Sequence, residues 1–227
     1  MKNRLSSIYR RIAAAARDSG RRPEDIRLVA VSKTVPIERL LEAVGLGVTI
    51  LGESYIQESR EKFNALYAHS VSWHFIGHLQ SNKAKYAVRM FDLIHSVDSL
   101  KLSREIDKEA GKIDKIQQVL VQVNLGEESG KSGVLLDDTA RLVTEMSRLP
   151  HVKVKGLMTM PPYFNAPEKA RPYFKSLRRL RDQLATMYIP GVCMTELSMG
   201  MTGDFEVAVQ EGATLVRIGT AVFGERA

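Results

Sequence analysis

The feature that most constrains the fold is an alternation of short apolar runs with longer amphipathic stretches, which continues from one end of the chain to the other. Such alternation is typical of βαβ units, which place parallel strands side by side in one sheet. The runs that predict strands are 28–32, 48–52, 73–77, 93–97, 119–124, 154–158, 196–199 and 215–219. The stretches that predict helices are 36–44, 55–67, 82–90, 99–110, 135–149, 167–187 and 205–210, after a leading helix at 3–19.

These eight runs predict an α/β fold, a single (β/α)₈ TIM barrel with an extra N-terminal helix. A doubly wound open sheet uses similar units, but no G-x-G-x-x-G follows the first run and no second nucleotide-binding half is visible. Barrels of this class reach 227 residues undivided, and no repeat, low-complexity segment or Pro/Gly-rich linker interrupts the chain. We therefore expect one domain over 1–227.

The charge of the chain is positive, with a net +7 and a pI near 9.5, which raises the question of a nucleic-acid partner. The densest basic stretch lies at 175–181, where cationic residues alternate with leucines at helical spacing. That pattern is typical of a solvated helix face, so we expect no nucleic-acid partner and consider a small anionic ligand instead. No apolar run approaches a membrane span, and the lone Cys193 fits a reducing cytoplasm.

Lys33 is the first candidate for chemistry because it directly follows the first strand run. The active site of a (β/α)₈ barrel lies at the carboxyl ends of its strands. Pro36 marks the start of the next helix, so Lys33 falls in the strand-to-helix turn at the barrel mouth. A neutral lysine there would be a nucleophile toward an aldehyde. On position alone, a solvated loop lysine is the more ordinary interpretation.

The last two strand runs end in residues suited to a phosphate. Ser198 lies near the end of the seventh, and Gly219 and Thr220 follow the eighth, where barrels of this class often bind phosphate. Glycine lets backbone N–H groups approach phosphate oxygens, and hydroxyls add donors without bulk. Arg217 is predicted to point to the same side of the sheet as Gly219. An interior arginine needs an acceptor, and the alternative role for it is an ion pair with Glu53, Asp98 or Glu196.

Two histidine pairs are weaker candidates. His74 and His78 lie four residues apart on a strand pattern rather than a helix, which argues against a metal site. His95 and Asp98, near the end of the fourth strand run, are expected either at the mouth or in a structural hydrogen bond. We expect no bound metal.

Ordered motifs run through nearly the whole chain: AVSKTVP at 30–36, LGESYIQE at 51–58, WHFIGHLQSNKAK at 73–85, HSVDS at 95–99, VNLGEESGKSG at 123–133, VKGLMTM at 154–160, LSMGMTGDFEVAVQEGAT at 197–214 and VRIGTAVFG at 216–224. Together they resemble the pyridoxal phosphate homeostasis proteins, a family also called YggS-like or PROSC-like and related to the barrel of fold-type III alanine racemase. Matches of that length and order are highly specific.

The resemblance implies that Lys33 carries pyridoxal 5′-phosphate as a Schiff base, with Ser198, Gly219 and Thr220 around its phosphate. It also implies that Arg217 faces the pyridine nitrogen, as the corresponding arginine does in alanine racemase. The other pocket residues that the resemblance implies are His78, Met158 and Met199.

Two positions depart from the family pattern, which usually has Asn at position 54 and Ser at position 202. Thr202 keeps a hydroxyl. Ser54 lacks an amide that donates and accepts at once, so we expect its contact with the cofactor to be weaker or bridged by water.

The resemblance and the arginine together predict a binding protein rather than an efficient enzyme. Arg217 can only donate, so it would leave the pyridine nitrogen unprotonated and weaken the cofactor as an electron sink. Fold-type III racemases also rely on a second domain that supplies a catalytic tyrosine, and we expect no such domain here. We expect storage, buffering or delivery of cofactor in intracellular vitamin B6 homeostasis, by a monomer that serves apo-enzymes and thereby the balance of amino acids.

Two alternatives stay open at this point. One is a racemase of narrow specificity whose missing base comes from Tyr163, His78 or a partner protein. The other is an aldolase-like barrel in which Lys33 forms a Schiff base with its substrate, which predicts a colourless protein.

Overall fold

The chain forms a closed barrel of parallel strands in the computed structural model, which describes residues 1–126 and 132–224. Residues 127–131, within the VNLGEESGKSG motif, lie outside the described residues. The barrel strands are β1 (Arg27–Val31), β2 (Ile50–Glu53), β3 (Ser72–Phe75), β4 (Leu93–Val97), β5 (Gln117–Asn124), β7 (Val152–Met158), β8 (Val192–Ser198) and β9 (Leu215–Ile218). A short β6 (Val134–Leu135) pairs with the end of β5 outside the ring.

Each barrel strand pairs in parallel with the next along the chain, β7 following β5 in the ring. The ring closes because β9 pairs back onto β1, with Val29 opposite Arg217. Parallel strands need crossover connections, and helices supply them here. The predicted TIM barrel is therefore confirmed.

Helices surround the barrel, and an additional helix precedes the first strand, as predicted. They are α1 (Lys2–Asp18), α2 (Ile37–Gly45), α3 (Ile56–Ala65), α4 (Ala84–Met90), α5 (Leu100–Gly111), α6 (Thr139–Met146), α7 (Arg171–Thr186), α8 (Phe205–Gln210) and α9 (Thr220–Phe223). Three 3₁₀ turns lie at Pro23–Asp25, Ser81–Lys83 and Pro167–Ala170. Leu5, Ile8 and Ile12 bury one face of α1, which packs against α8 and α9. Within the described residues, no helix is both long and apolar enough to cross a membrane.

Two predicted helices begin later than expected. The stretch 135–149 yields α6 only from Thr139, because Val134 and Leu135 pair with the end of β5. The stretch 167–187 divides into a 3₁₀ turn and α7, which begins at Arg171. Pro172 explains the break, since proline fits the first turn of a helix but neither donates nor fits in its interior.

The hydrophobic core has two parts. The larger lies between the sheet and the helices. The smaller fills the barrel interior with Val29, Ile50, Leu93, Leu120, Met158 and Leu215. The interior is thus packed rather than hollow, which leaves the carboxyl ends of the strands as the place for a site.

Candidate functional site

A cavity of about 800 Å³ lies at the carboxyl ends of the strands. Lys33, Ser54 and His78, which follow β1, β2 and β3, all line it, and so does Tyr163. The structure therefore brings together three of the predicted cofactor residues and the tyrosine considered as a racemase base. A cavity of this volume is within the usual range for small-molecule sites.

Lys33 sits in a turn held by the neighbouring strand. Ser32 N–H donates to the Gly52 carbonyl at 2.9 Å, and Val35 N–H donates to the Ser32 carbonyl at 3.0 Å. The next residue, Thr34, has a φ of +61°. Lys33 is half-buried at the cavity wall.

The ends of β2 and β3 approach each other closely at Gly77. A Cβ added to Gly77 would lie 2.3 Å from the carbonyl oxygen of Ser54, so a larger residue there would displace backbone. His78, the next residue, contacts Ser132 Oγ through Nδ1 at 3.1 Å. This approach of the two strand ends places Ser54 and His78 on one wall of the cavity.

Arg217 is buried inside the barrel, with only 4% of its surface exposed. Its Nη1 donates to Ser198 Oγ at 2.5 Å, and its Nη2 donates to the Thr159 carbonyl at 2.9 Å. Burial lowers the pKa of Arg217 to about 10, partly opposed by the charge of Asp204. Among the described residues no carboxylate forms an ion pair with it.

Two of the three ion-pair partners considered for Arg217 are engaged elsewhere. Glu53 pairs with Lys62 at 2.9 Å, and Glu196 pairs with Arg27 at 2.5 Å. The alternative role of Arg217 as half of an ion pair with Glu53 or Glu196 is therefore wrong. Its buried cation faces uncharged partners, an arrangement that suits a further acceptor or an anion.

A pair of buried histidines extends this polar network. His95 Nδ1 lies 2.9 Å from Ser198 Oγ, and His95 Nε2 lies 3.0 Å from His74 Nδ1. Burial lowers the pKa of His74 to about 4 and holds that of His95 well below its ordinary value. Both rings are therefore neutral near neutral pH. His95 accordingly makes a structural hydrogen bond rather than facing the mouth, and in the described part of the chain no metal-binding cluster is present.

Glycines shape the ends of β8 and β9. Gly200 has a φ of +91°, and a Cβ there would lie 2.5 Å from the Cβ of Ala208. Gly219 immediately precedes α9, and a Cβ there would come no closer than 3.4 Å to Val31. Thr220, the first residue of α9, is exposed. A Cβ at Gly219 would therefore make only ordinary van der Waals contact, whereas Gly200 is required by the fold itself.

Met158 and Met199 do not line the cavity, and neither do Ser198, Arg217, Gly219 and Thr220. Met158 is buried in the barrel interior, and Met199 is fully buried in the core between sheet and helices. Adjacent residues of a strand face opposite sides of the sheet, so Met199 points outward because Ser198 points inward. Met160 and Met201 line the cavity instead.

A buried ionic cluster beside the Lys33 turn was not anticipated. Lys62 Nζ donates to Glu53 at 2.9 Å, to Glu58 at 2.5 Å and to the carbonyl of Ser32 at 2.6 Å. The signal in the sequence is the i, i+4 spacing of Glu58 and Lys62 on one face of α3. That spacing alone does not reveal that the face is buried.

Comparison with known proteins identifies the family. Residues 4–227 match the family model described as alanine racemase, N-terminal domain. The pyridoxal phosphate homeostasis protein of Aquifex aeolicus is 48% identical over 223 residues, which cover 98% of this chain and 97% of that protein. The chain belongs to the pyridoxal phosphate homeostasis protein family.

Solved structures agree with this placement in the pyridoxal phosphate homeostasis family. PipY of Synechococcus elongatus, solved with pyridoxal phosphate bound, has a TM-score of 0.86 and 34% identity, covering 98% of this chain and 99% of PipY. An alanine racemase of Clostridium difficile has a TM-score of 0.73 and 16% identity, covering 98% of this chain and 57% of the racemase. The racemase likeness concerns the fold alone.

Proposed function

We propose that this member of the family holds pyridoxal 5′-phosphate as a Schiff base on Lys33 and stores, buffers or delivers it in vitamin B6 homeostasis. The observation that carries the proposal is the position of Lys33 at the end of β1, on the wall of a cavity of about 800 Å³ at the barrel mouth. When bound, the cofactor supplies an aldehyde with which a neutral lysine amine condenses, releasing water. The bound cofactor of PipY supports the assignment.

None of Ser198, Arg217, Gly219 and Thr220 lines the cavity, and we propose that they hold the cofactor from the neighbouring ends of β8 and β9. We assign its phosphate to the backbone at Gly219 and Thr220, because the lack of a side chain at Gly219 would let backbone N–H groups approach phosphate oxygens. We assign its ring nitrogen to Arg217, a buried cation with no described carboxylate partner. Ser198 would act through Arg217, since its hydroxyl already accepts from that guanidinium.

The chemistry of Arg217 favours holding the cofactor over using it. A guanidinium donates hydrogen bonds and accepts none, so it would keep the ring nitrogen in its unprotonated form. Electron withdrawal by the ring is strongest when that nitrogen is protonated. We therefore propose that carbanion chemistry at this site is weak, and that the protein serves binding rather than turnover.

A racemase of narrow specificity is the second candidate, because His78 and Tyr163 both line the cavity. Either side chain would then move a proton at the α-carbon of an amino acid. The third candidate, an aldolase-like barrel, uses Lys33 without the cofactor. The aldolase-like barrel predicts a colourless protein. The racemase predicts hydrogen exchange at the α-carbon of its amino-acid substrate.

We further propose that the protein acts as a monomer in the cytoplasm and passes its cofactor to apo-enzymes. The lone Cys193 suits a reducing compartment. Transfer to an apo-enzyme requires a reversible tether, and a Schiff base is one because water reverses it.

A visible spectrum, borohydride reduction and peptide mass mapping test the proposal. We expect a yellow protein whose reduced adduct maps to Lys33, and loss of that adduct in Lys33→Ala. Lys83→Ala is the matched control, since Lys83 also lines the cavity. A colourless protein after incubation with the cofactor, or a wild-type adduct confined to Lys83, would overturn the proposal.

Deuterium uptake at the α-carbon of amino acids separates the binding role from the racemase. We expect no rapid uptake with the pure loaded protein. Rapid uptake that Lys33→Ala abolishes would establish the second candidate instead.

A further inference from the structure

The turn that carries Lys33 has a strained backbone. Thr34, directly after Lys33, has a φ of +61°, in the left-handed region that β-branched residues almost never adopt. Such a conformation persists only where surrounding contacts hold it. The residues that contact the backbone at 32–34 therefore hold the turn and orient the side chain of Lys33.

Side chains of one ionic cluster, formed by Lys62, Glu53 and Glu58, hold this turn on both sides of Lys33. Glu58 accepts a hydrogen bond from Thr34 N–H at 2.5 Å, and Lys62 donates to the carbonyl of Ser32 at 2.6 Å. Ser32 Oγ donates to Glu53 at 2.7 Å. The residues before and after Lys33 are thus both tied to one ionic cluster.

Lys62 is the centre of the cluster. Its ammonium has three acceptors, the Ser32 carbonyl, Glu53 and Glu58, which match its three N–H donors. Only 4% of Lys62 is exposed, and Glu53 is fully buried. Neither of these two side chains lines the cavity, so both act behind its wall.

We propose that Lys62 is a positioning residue, which together with Glu53 and Glu58 fixes the strained turn so that the amine of Lys33 enters the cavity. The inference rests on the proposed function, because it concerns the reactivity of Lys33 toward the cofactor. It assigns Lys62 no contact with the cofactor. The cluster instead sets how often the Lys33 turn occupies the conformation that can react.

The variant Lys62→Met tests this role, because methionine keeps most of the side-chain length and removes the three donors. We expect the Thr34 amide to lose protection from hydrogen exchange in the cofactor-free protein. We also expect Schiff-base formation with added pyridoxal phosphate to slow by on the order of tenfold, since a small displacement of a reacting group is costly in rate. Lys108→Met is the matched control, because Lys108 pairs with Glu105 on an exposed helix face.

A second substitution separates positioning from general stability. Glycine adopts positive φ without strain, so Thr34→Gly should restore most of the lost rate in the Lys62→Met background. A purely structural role of Lys62 predicts no such rescue. If Lys62→Met fails to fold, Glu58→Gln replaces it, since this change keeps the size of the side chain and weakens the bond to Thr34.

The outcomes separate this inference from the proposed function. Wild-type rate and Thr34 protection in Lys62→Met, or a double variant as slow as the single one, would overturn the positioning role alone. A wild-type protein with no adduct on Lys33 would overturn the proposed function. In that case the exchange of the Thr34 amide still tests whether Lys62 holds the turn.

Discussion

Arg217 Nη1 lies 2.5 Å from Ser198 Oγ, and this contact sets the direction of the hydrogen bonds that continue from it through the barrel. A guanidinium only donates, so Ser198 accepts. Among the described residues, the acceptor within reach of the Ser198 proton is His95 Nδ1, at 2.9 Å. His95 then carries its own proton on Nε2 and donates to His74 Nδ1 at 3.0 Å.

The first prediction is that His95 and His74 are both neutral, with the proton on Nε2. Arg217 imposes this tautomer through Ser198, and burial prevents protonation of either ring. Nitrogen NMR of the histidine side chains distinguishes the two ring nitrogens. The exposed His69 provides a reference within the same spectrum. A proton found on Nδ1 of His95 would contradict the assigned direction.

The second prediction is that the free energy of unfolding falls as the pH drops from about 6.5 toward 4. Burial lowers the pKa of His74 from 6.5 to about 4, so within this range the unfolded chain binds more protons than the folded one. The shift corresponds to roughly 3 kcal/mol for His74 alone. Urea unfolding across this pH range measures the slope.

Two variants test whether His74 causes this pH dependence of the free energy of unfolding. His74→Gln should flatten the pH dependence, and His69→Gln should leave it unchanged. Glu53 acts in the opposite sense, because burial raises the pKa of its carboxyl and its contribution is therefore lost as pH rises. An unchanged slope in His74→Gln would show that other groups govern the acid response.

The sequence predicted the barrel and part of the site because both depend on local patterns. Strand and helix periods are properties of neighbouring residues, and the position of Lys33 after the first strand follows from them, whereas Ser54 and His78 came from the family resemblance. Met199 was named only from the resemblance, and it lies in the core rather than on the cavity wall because one residue of register reverses the side of a strand.

The clusters that long-range contacts create were not predictable in this way. His74 and His95 belong to different strands, and Lys62 reaches the Ser32 carbonyl across 30 positions in the chain. The hydrogen bond between Lys62 and Ser32 depends on how α3 packs against the barrel. The spacing of apolar residues in the sequence does not predict that packing.

The third prediction compares two glycines at the strand ends. Gly219→Ala should weaken cofactor binding while changing the free energy of unfolding by less than about 1 kcal/mol, because its methyl fits beside Val31 but occupies the space assigned to the phosphate. Gly200→Ala should destabilise the protein by roughly 2–4 kcal/mol, since it combines a positive φ with a clash at Ala208. Denaturant unfolding and cofactor titration separate the two effects. Unchanged cofactor affinity in Gly219→Ala would contradict the assigned phosphate position.

The fourth prediction is that Ser54→Asn binds pyridoxal phosphate more tightly than the wild type. Ser54 lines the cavity at the position where the family usually has asparagine, and an amide can donate and accept at once. One added hydrogen bond corresponds to about 2–10-fold in affinity.

The fold leaves room for Ser54→Asn, because Ser54 is only half-buried and lines the cavity. Stability should therefore stay within about 0.5 kcal/mol of the wild type, as for ordinary surface changes. Ser54→Ala is the matched control, and it should bind no more tightly than the wild type because it offers no polar atom. Equilibrium dialysis of the cofactor against the three proteins gives the order of affinities. If Ser54→Asn bound no better than Ser54→Ala, residue 54 would make no direct contact with the cofactor.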